Sequence, residues 1–384
     1  MEAEDLEMIY ATYLIKKFIF HCSKDTFVNY PLFTHRDYSN LYPDDVQKAA
    51  ISRLIKKLQV GIYSKNKNYC LCGNKDDFLD EIVANVDMHA IPLQVVLCKK
   101  CGLIRSADVF DVVSNSDYYR YEYREIDSGE TAVEVYFNGQ LDRGESFVQI
   151  LSKTGIMGQI ESVVEIGCGS GGVLYPFHLA GKKVVGFDYD ERFLGYGREQ
   201  GMELYCLGED GNPFQKTKPD LLIISHVLEH CLNPKEELVS WIEKVKPGKY
   251  LVIEVPGLFS KLAKKILYGY PVRYFQIAHV IQFFYRDFLD CFYGSLGLEV
   301  VYGDETATFV LKKPLDWTPQ VPDVVFGEKL TIYPALVDRY LKESYFDFRY
   351  YPHLIKAKWL ALRLLEALGI RKIVKRFLKK WKLI

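Results

Sequence analysis

The sequence predicts an α/β protein whose core is a seven-stranded, mostly parallel sheet with helices on both faces. Three observations lead there. From about residue 146 onward, short apolar runs alternate with helical segments. Those runs are Ser162–Ile166, Lys183–Phe187, Glu203–Leu207, Asp220–Ile224, Tyr250–Glu254, Leu298–Val301 and Thr308–Leu311. The last two are separated only by Tyr302–Ala307, too short for a crossover helix, so that pair must be antiparallel.

Ahead of that domain, residues 1–60 read as helical. Leu6, Ile9, Tyr10, Tyr13, Leu14 and Phe18 recur at helical spacing, and Asp44 or Asp45 is placed to cap a second helix running to about Leu58. Residues 61–112 hold two close cysteine pairs among strand-like pieces. Residues 113–145, polar and rich in Tyr, read as a connector, 146–315 as the sheet domain and 316–384 as a helical C-terminal extension. At its end, Ile370, Ile373, Val374, Phe377, Leu378, Trp381 and Ile384 fall on one helical stripe with Lys and Arg filling the rest. A basic amphipathic helix with a Trp suits a membrane surface or a partner protein; it equally suits a stripe packed on the protein itself.

The chain has 384 residues, 49 Lys plus Arg against 50 Asp plus Glu, and a net charge of −1. That balance speaks against a nucleic-acid partner. No run is long enough to span a membrane, and the acidic N-terminus is unlike a secretory signal. Nine cysteines in so long a chain are not a disulfide scaffold, which points to a reducing cytoplasmic compartment, peripheral at the membrane if the basic helix lies on it. The 28 tyrosines fit either a sugar-stacking surface or a biased genome.

The chemical signal with most content is Val163-Val164-Glu165-Ile166-Gly167-Cys168-Gly169-Ser170-Gly171-Gly172. A buried strand runs into a glycine turn, then into a helix expected from about Val173. Glycines let backbone approach a ligand, and a helix start offers unpaired N–H groups. Gly167, Gly169 and Gly172 also satisfy a dinucleotide pattern. Glu165, two residues before the first glycine, would repel a pyrophosphate but welcome a ligand with a cationic amine and a sulfonium. The next run ends in Asp188, followed by Tyr189, where a ribose diol can be held. The third leads to Glu209 and Asp210, within reach of an adenine amino group. The fourth ends in Ser225-His226-Val227-Leu228-Glu229-His230.

These pieces, in this order, resemble class I S-adenosylmethionine (SAM) dependent methyltransferases over roughly 146–313. The resemblance implies a Rossmann-like fold and SAM as cofactor. It places Glu165, Gly167, Cys168 and Gly169 along the methionine part, Asp188 with Tyr189 at the ribose, Glu209 or Asp210 at adenine, and Ser225 and His226 beside the methyl donor. Any other doubly wound nucleotide binder, such as a NAD-type dehydrogenase, is the competing reading.

Cys70 and Cys72, then Cys98 and Cys101, each pair followed by Gly, form two knuckle-like turns suited to a structural zinc ion, although the first pair is C-x-C rather than the usual C-x-x-C. A cysteine module ahead of such a domain resembles sugar C-methyltransferases of deoxysugar pathways and related enzymes of surface-polysaccharide clusters. Residues 316–384 depart from it, being too few and too helical for the further C-terminal domain those enzymes carry. The resemblance implies a sugar, sugar-nucleotide or glycan acceptor. A catalytically silent scaffold built on the same fold is the alternative.

Methyl transfer from a sulfonium is an in-line displacement with a neutral leaving group, so catalysis is mostly alignment and desolvation. An oxygen nucleophile of high pKa also needs a base. His279 is the first candidate, because it lies in the long aromatic segment between the fifth and sixth runs and falls where the sugar enzymes resemble E-H-x-x-Y-F, with Ala278 in place of the acid and Gln282 in place of the Tyr. His226 is second. His230 is third, and equally readable as a histidine that only hydrogen-bonds backbone. Arg273, Tyr274 and Tyr285 are placed to hold a sugar or phosphate. The H-x-x-E-H spelling at 226–230 also occurs in metallopeptidases, but here it abuts a strand and lacks a long helix. Ubiquinone-pathway O-methyltransferases resemble it with E-x-x-E-H, which implies a divalent ion on His226, Glu229 and His230.

Overall fold

The computed structural model describes residues 44–87, 91–129, 132–207, 218–259, 279–319 and 331–341. The stripe from Leu6 to Phe18, Glu209, Asp210, Arg273, Tyr274 and the basic stripe from 370 to 384 lie outside the described residues. The described residues from 44 to 338 belong to one compact unit.

Helix α1 (Asp45–Gln59) starts where its sequence dictates. The Asp44 carboxylate accepts from the Gln47 amide and the Gln47 side chain accepts from the Asp44 N–H, a reciprocal capping box. Its buried face, Ala50, Ile51 and Leu54, packs with Tyr63, Ile91, Tyr118 and Ile126. Strand β1 (Lys65–Lys67) then leads to the cysteine module. There β2 (Asp80–Val86), β3 (Pro92–Cys98) and β4 (Ile104–Ser106) pair antiparallel in sequence, and β5 (Asp108–Phe110) returns to β1.

The stretch expected as a connector is helical instead. It holds α2 (Val112–Tyr121), α3 (Tyr123–Ser128) and the start of α4 (Val133–Lys153). The face that α4 buries is Phe137, Gln140, Gly144, Phe147 and Leu151. With a Gln and a Gly among five buried positions, the apolar period is too faint to read. Gly144 is needed there: a Cβ would stand 2.5 Å from the Val173 carbonyl oxygen.

The main sheet follows. Its strands are β6 (Ser162–Ile166), β7 (Lys183–Asp188), β8 (Glu203–Cys206), β9 (Leu221–Ser225), β10 (Tyr250–Glu254), β12 (Glu299–Gly303) and β13 (Thr308–Lys312), in the order β12-β13-β10-β9-β6-β7-β8. Strands β6 to β10 are mutually parallel, and β13 runs antiparallel to both β10 and β12, as the short Tyr302–Ala307 connection requires. Leu221, Leu222, Ile223 and Ile224 are all fully buried, which is why the central strand is a continuous apolar run rather than an alternating one. One face carries Val163, Val184, Leu204, Ile223 and Val310 against α4, α5 (Tyr175–Leu179) and α6 (Glu191–Glu199). On the other, Phe309 meets Tyr293 of α8 (Arg286–Ser295), with ring centres 5.1 Å apart. Helix α7 (Pro234–Lys244) buries Leu238 and Ile242. The helix after the glycine turn starts at Tyr175 rather than near Val173, with Pro176 in its first turn, where proline favours a helix start.

One strand belongs to neither expected block. β11 (Gln282–Phe283), from the aromatic segment, pairs antiparallel with β4 and completes the cysteine module's sheet in the order β11-β4-β3-β2. Tyr285 follows and is buried, its hydroxyl donating to the Cys101 carbonyl at 2.5 Å, so it serves the module rather than a sugar.

At the opposite end of the sheet, the Asp220 carboxylate accepts from the Glu161 and Ser162 amides (3.0 and 3.2 Å) and from Lys246 (2.9 Å). Burial pushes this carboxyl up, but the Lys246 bond and the two amides outweigh it and hold it down at about 2. A depressed folded-state pKa stabilises the fold above the ordinary value of 3.8 and loses that contribution as pH falls toward 2. Asp220→Asn should therefore cost about 2 kcal/mol at neutral pH and flatten the acid limb of stability below about pH 4. Urea unfolding across pH checks it; an unchanged acid slope would assign that slope to other carboxylates.

Candidate functional site

The turn after β6 is shaped by conformations that favour glycine. Gly167, Gly169 and Gly171 have φ of 70°, 56° and 80°. A Cβ on Gly167 would stand 2.4 Å from Val227, and one on Gly172 would stand 2.4 Å from the Phe137 carbonyl oxygen. Helix α4 thus lies against the turn, and the Gln140 side-chain oxygen accepts from the Gly172 N–H at 3.3 Å. Cys168 is buried behind it, its Sγ 2.6 Å from where a Gly186 Cβ would be.

Two carboxylates flank this turn at adjacent strand ends. Asp188, at the end of β7, accepts from Gly169 N through Oδ2 (2.8 Å) and from Tyr189 N and Asp190 N through Oδ1 (2.8 and 3.1 Å). The Tyr189 ring is left 41% exposed at the rim. Glu165 is different. It is 1% exposed and its Oε2 has no hydrogen-bond partner. Burial pushes its carboxyl well above the usual range. An unpaired carboxyl oxygen in the interior is costly unless something supplies a donor. These features fit an adenosyl amino acid: a glycine-rich turn, a carboxylate for a diol, and an unsatisfied carboxyl for an amine.

Sequence reasoning gave Arg124 no role. This side chain of α3 is 11% exposed and stacks on Tyr136, Phe193 and Tyr123, at 4.8, 4.6 and 5.3 Å from their ring centres. Its Nη2 is 3.8 Å from Asp188 Oδ1 and its Nε is 3.8 Å from Asp190 Oδ2, distances of ion pairing without a hydrogen bond. Its Nε and Nη1 have no acceptor. The signal present in the sequence was an Arg interleaved with tyrosines from Tyr118 to Arg124.

Beyond β9 and β10 lies a second polar group. Ser225 Oγ donates to Glu254 Oε2 at 3.4 Å, Arg143 Nε is 3.5 Å from the same oxygen, and His226 Nε2 is 3.9 Å from Glu254 Oε1. His226 has φ of 54°, a strained backbone for a residue with a Cβ, at the strand edge where ligands of open α/β sheets bind. Its Nδ1 is 3.2 Å from Glu229 Oε1, and His230 Nε2 is 3.5 Å from the same atom. Burial pushes the Glu229 carboxyl up, but the flanking imidazoles more than offset it, and the net direction is down. The other nitrogen of His230, Nδ1, faces the His279 carbonyl at 2.8 Å and must donate to it. With both nitrogens engaged, His230 holds the backbone at His279. The His279 ring lies 5.0 Å from the His230 ring and 4.8 Å, edge-on, from Tyr123. Glu209 and Asp210 lie outside the described residues; among the described ones, Glu165, Asp188 and the glycines meet at one turn and His226, His230 and His279 in one cluster.

The four module cysteines form a separate group. Cys70, Cys72, Cys98 and Cys101 are buried and their sulfurs all lie within 4.8 Å of one another, with Cys70–Cys101 at 3.6 Å and Cys72–Cys98 at 3.7 Å. A tetrahedron with Zn–S bonds of about 2.3 Å has sulfur–sulfur edges of roughly 3.8 Å, so the donor set fits zinc. Gly73 and Gly102, at φ of 77° and 80°, turn the two knuckles. Arg105, 2% exposed, sits nearby and is held bidentately by Asp80 at 3.0 and 2.6 Å. Elemental analysis should find about one zinc per chain, and Cys98→Ser should lower both zinc content and melting temperature, because binding energy at such a site is folding energy. A well-folded chain without metal would refute the site.

Residues 140–302 match a family model described as "Methyltransferase domain". Trans-aconitate 2-methyltransferase of Mycobacterium tuberculosis is 23% identical over 131 residues, 33% of this chain and 49% of that protein. The ubiquinone biosynthesis O-methyltransferase of Maricaulis maris is 30% identical over 111 residues, 26% of this chain and 42% of that protein. The chain thus spans about half the length of the curated relatives it matches. Among solved structures, an O-methyltransferase family protein from Burkholderia thailandensis is 14% identical, with a TM-score of 0.39 over 51% of this chain and 63% of that one. With the strand order and the glycine turn, the family match identifies residues 140–302 as a methyltransferase domain of the class I, Rossmann-like architecture.

Proposed function

We propose that the chain transfers a methyl group from SAM to a hydroxyl of a sugar, sugar nucleotide or phosphorylated glycan, in the synthesis of a surface polysaccharide. The observation that carries the donor is the pair of strand-end carboxylates, Asp188 engaged by three amides and Glu165 buried with an oxygen unpaired. When bound, SAM supplies an electrophilic methyl group on a sulfonium. Glu165 receives the amine, Asp188 the ribose hydroxyls, and Gly167 and Gly169 leave room for the chain between them. Ser225, Glu254 and Arg143 form the polar wall at the next strand ends.

The acceptor reading rests on the cysteine module and on His279. The resemblance of that module to sugar methyltransferases supports a glycosyl acceptor, and β11 ties it to the segment that carries His279. We assign His279 as the base that takes the hydroxyl proton; the His230 bond to its carbonyl and its packing against Tyr123 support that reading. His226, hydrogen-bonded to buried Glu229, is the second choice. The cysteine cluster takes no part in the chemistry: four protein ligands close a zinc site.

Titration calorimetry should detect S-adenosylhomocysteine binding that Asp188→Ala abolishes; an intact fold with no binding would end this reading. On a hydroxyl acceptor found by screening nucleotide sugars for the mass of one added methylene, His279→Gln should cut turnover by about 10²–10⁴-fold while sparing cofactor affinity. Unchanged turnover would move the base to His226.

A further inference from the structure

The first cysteine pair is one residue shorter than the second, C-x-C against C-x-x-C. In the regular pair, the residue after Gly102 uses its backbone: the Leu103 N–H donates to Cys101 Sγ at 3.5 Å. The residue at the matching place after Gly73 is Asn74, and it is employed differently. Its backbone carbonyl accepts from the Cys70 N–H at 3.3 Å, which closes the shortened turn. Its side chain crosses to the other pair, where Nδ2 donates to Cys98 Sγ at 3.6 Å. The amide is oriented for that bond, because its Oδ1 accepts from the Asp76 N–H at 3.0 Å. Asn74 is 5% exposed, so a buried amide is aimed at a buried sulfur. Lys100 makes the reciprocal link: from the regular pair, its Nζ donates to the Cys72 carbonyl at 3.4 Å.

Four thiolates on a divalent ion leave a net double negative charge among buried groups. Such charge is costly in the interior unless hydrogen bonds meet it. Arg105, the buried cation of the module, is already matched by Asp80 and adds no net positive charge. We propose that Asn74 is a positioning residue of the metal site, whose amide holds the Cys98 sulfur across the shortened pair and sets how tightly the ion is kept. The inference rests on the zinc reading of the four cysteines and is independent of the SAM reading. It accounts for the C-x-C spacing: a side chain does between the pairs what a backbone amide does within the regular one.

The test follows metal retention and the electronic state of the sulfurs on the full chain. Asn74→Leu keeps the size of the side chain and removes its N–H groups. Transfer of zinc to a colorimetric chelator should show an affinity about 10- to 100-fold below that of the parent. With cobalt(II) as the probe in place of zinc, the thiolate-to-cobalt charge-transfer band should move to lower energy, since a sulfur with one hydrogen bond fewer gives up its electron more readily. Spectra are recorded at saturating cobalt, which restores the fold of a weakened variant by mass action, so loss of fold does not hide the band. Lys100→Met removes the reciprocal link without touching a sulfur and should leave the band in place. An equal shift in Asn74→Leu and Lys100→Met would assign it to a distorted loop and overturn the proposal, as would an unmoved band or unchanged zinc retention in Asn74→Leu. A parent chain that takes up neither zinc nor cobalt would instead overturn the zinc reading.

Discussion

The Gly169 N–H donates to the Asp188 carboxylate across 2.8 Å, joining the turn after the first parallel strand to the end of the second. That bond forms only because Gly169 takes a left-handed φ, which aims its amide at the neighbouring strand end. It also orients Asp188, whose other oxygen collects two more amides. From this joint the rest of the carboxyl edge is laid out: Glu165 beneath the turn, Tyr136 and Gln140 of the preceding helix against it, and Arg124 stacked on Tyr136. The helix that a hydropathy pattern reads as a connector is in effect the lid of the glycine turn.

The cysteine module is likewise less separate than its sequence suggests. Pairing of Gln282 and Phe283 with Arg105 and Ile104, the Ser106 amide donating to the Ile281 carbonyl at 2.9 Å, and Tyr285 on Cys101 make one continuous structure of the knuckles and the segment leading from His279. A metal holding four buried thiolates would stiffen that segment from behind without touching a reactant. Through β11 and Tyr285 the module is joined to the segment that follows β10.

The histidine cluster follows a similar logic. Glu229, buried and held anionic by its neighbours, organises His226 and His230, and His230 in turn fixes the backbone at His279. Aromatic contacts from Tyr123 and Tyr119 close the group. Tyr123 and Arg124 are adjacent on α3, so one short helix packs against both the histidines and Tyr136 at the glycine turn.

The strands were legible because a sheet covered on both faces demands unbroken apolar runs, and Leu221 to Ile224 supply one. The glycine turn was legible because left-handed backbone is a local property. The reversed last strand was legible because a short loop admits no crossover. The four clustered cysteines were legible from spacing alone. The tertiary structure decided what spacing could not. It made 113–145 helical although Gln140 and Gly144 interrupt the apolar face, and delayed the helix after the turn to Tyr175. It gave Tyr285 to the module rather than to an acceptor. It left one Glu165 oxygen without a hydrogen-bond partner beneath the glycine turn. Each of those outcomes depends on partners far apart in the chain, such as His230 with His279 or Tyr285 with Cys101, and whether a polar group is satisfied is settled only when such partners meet.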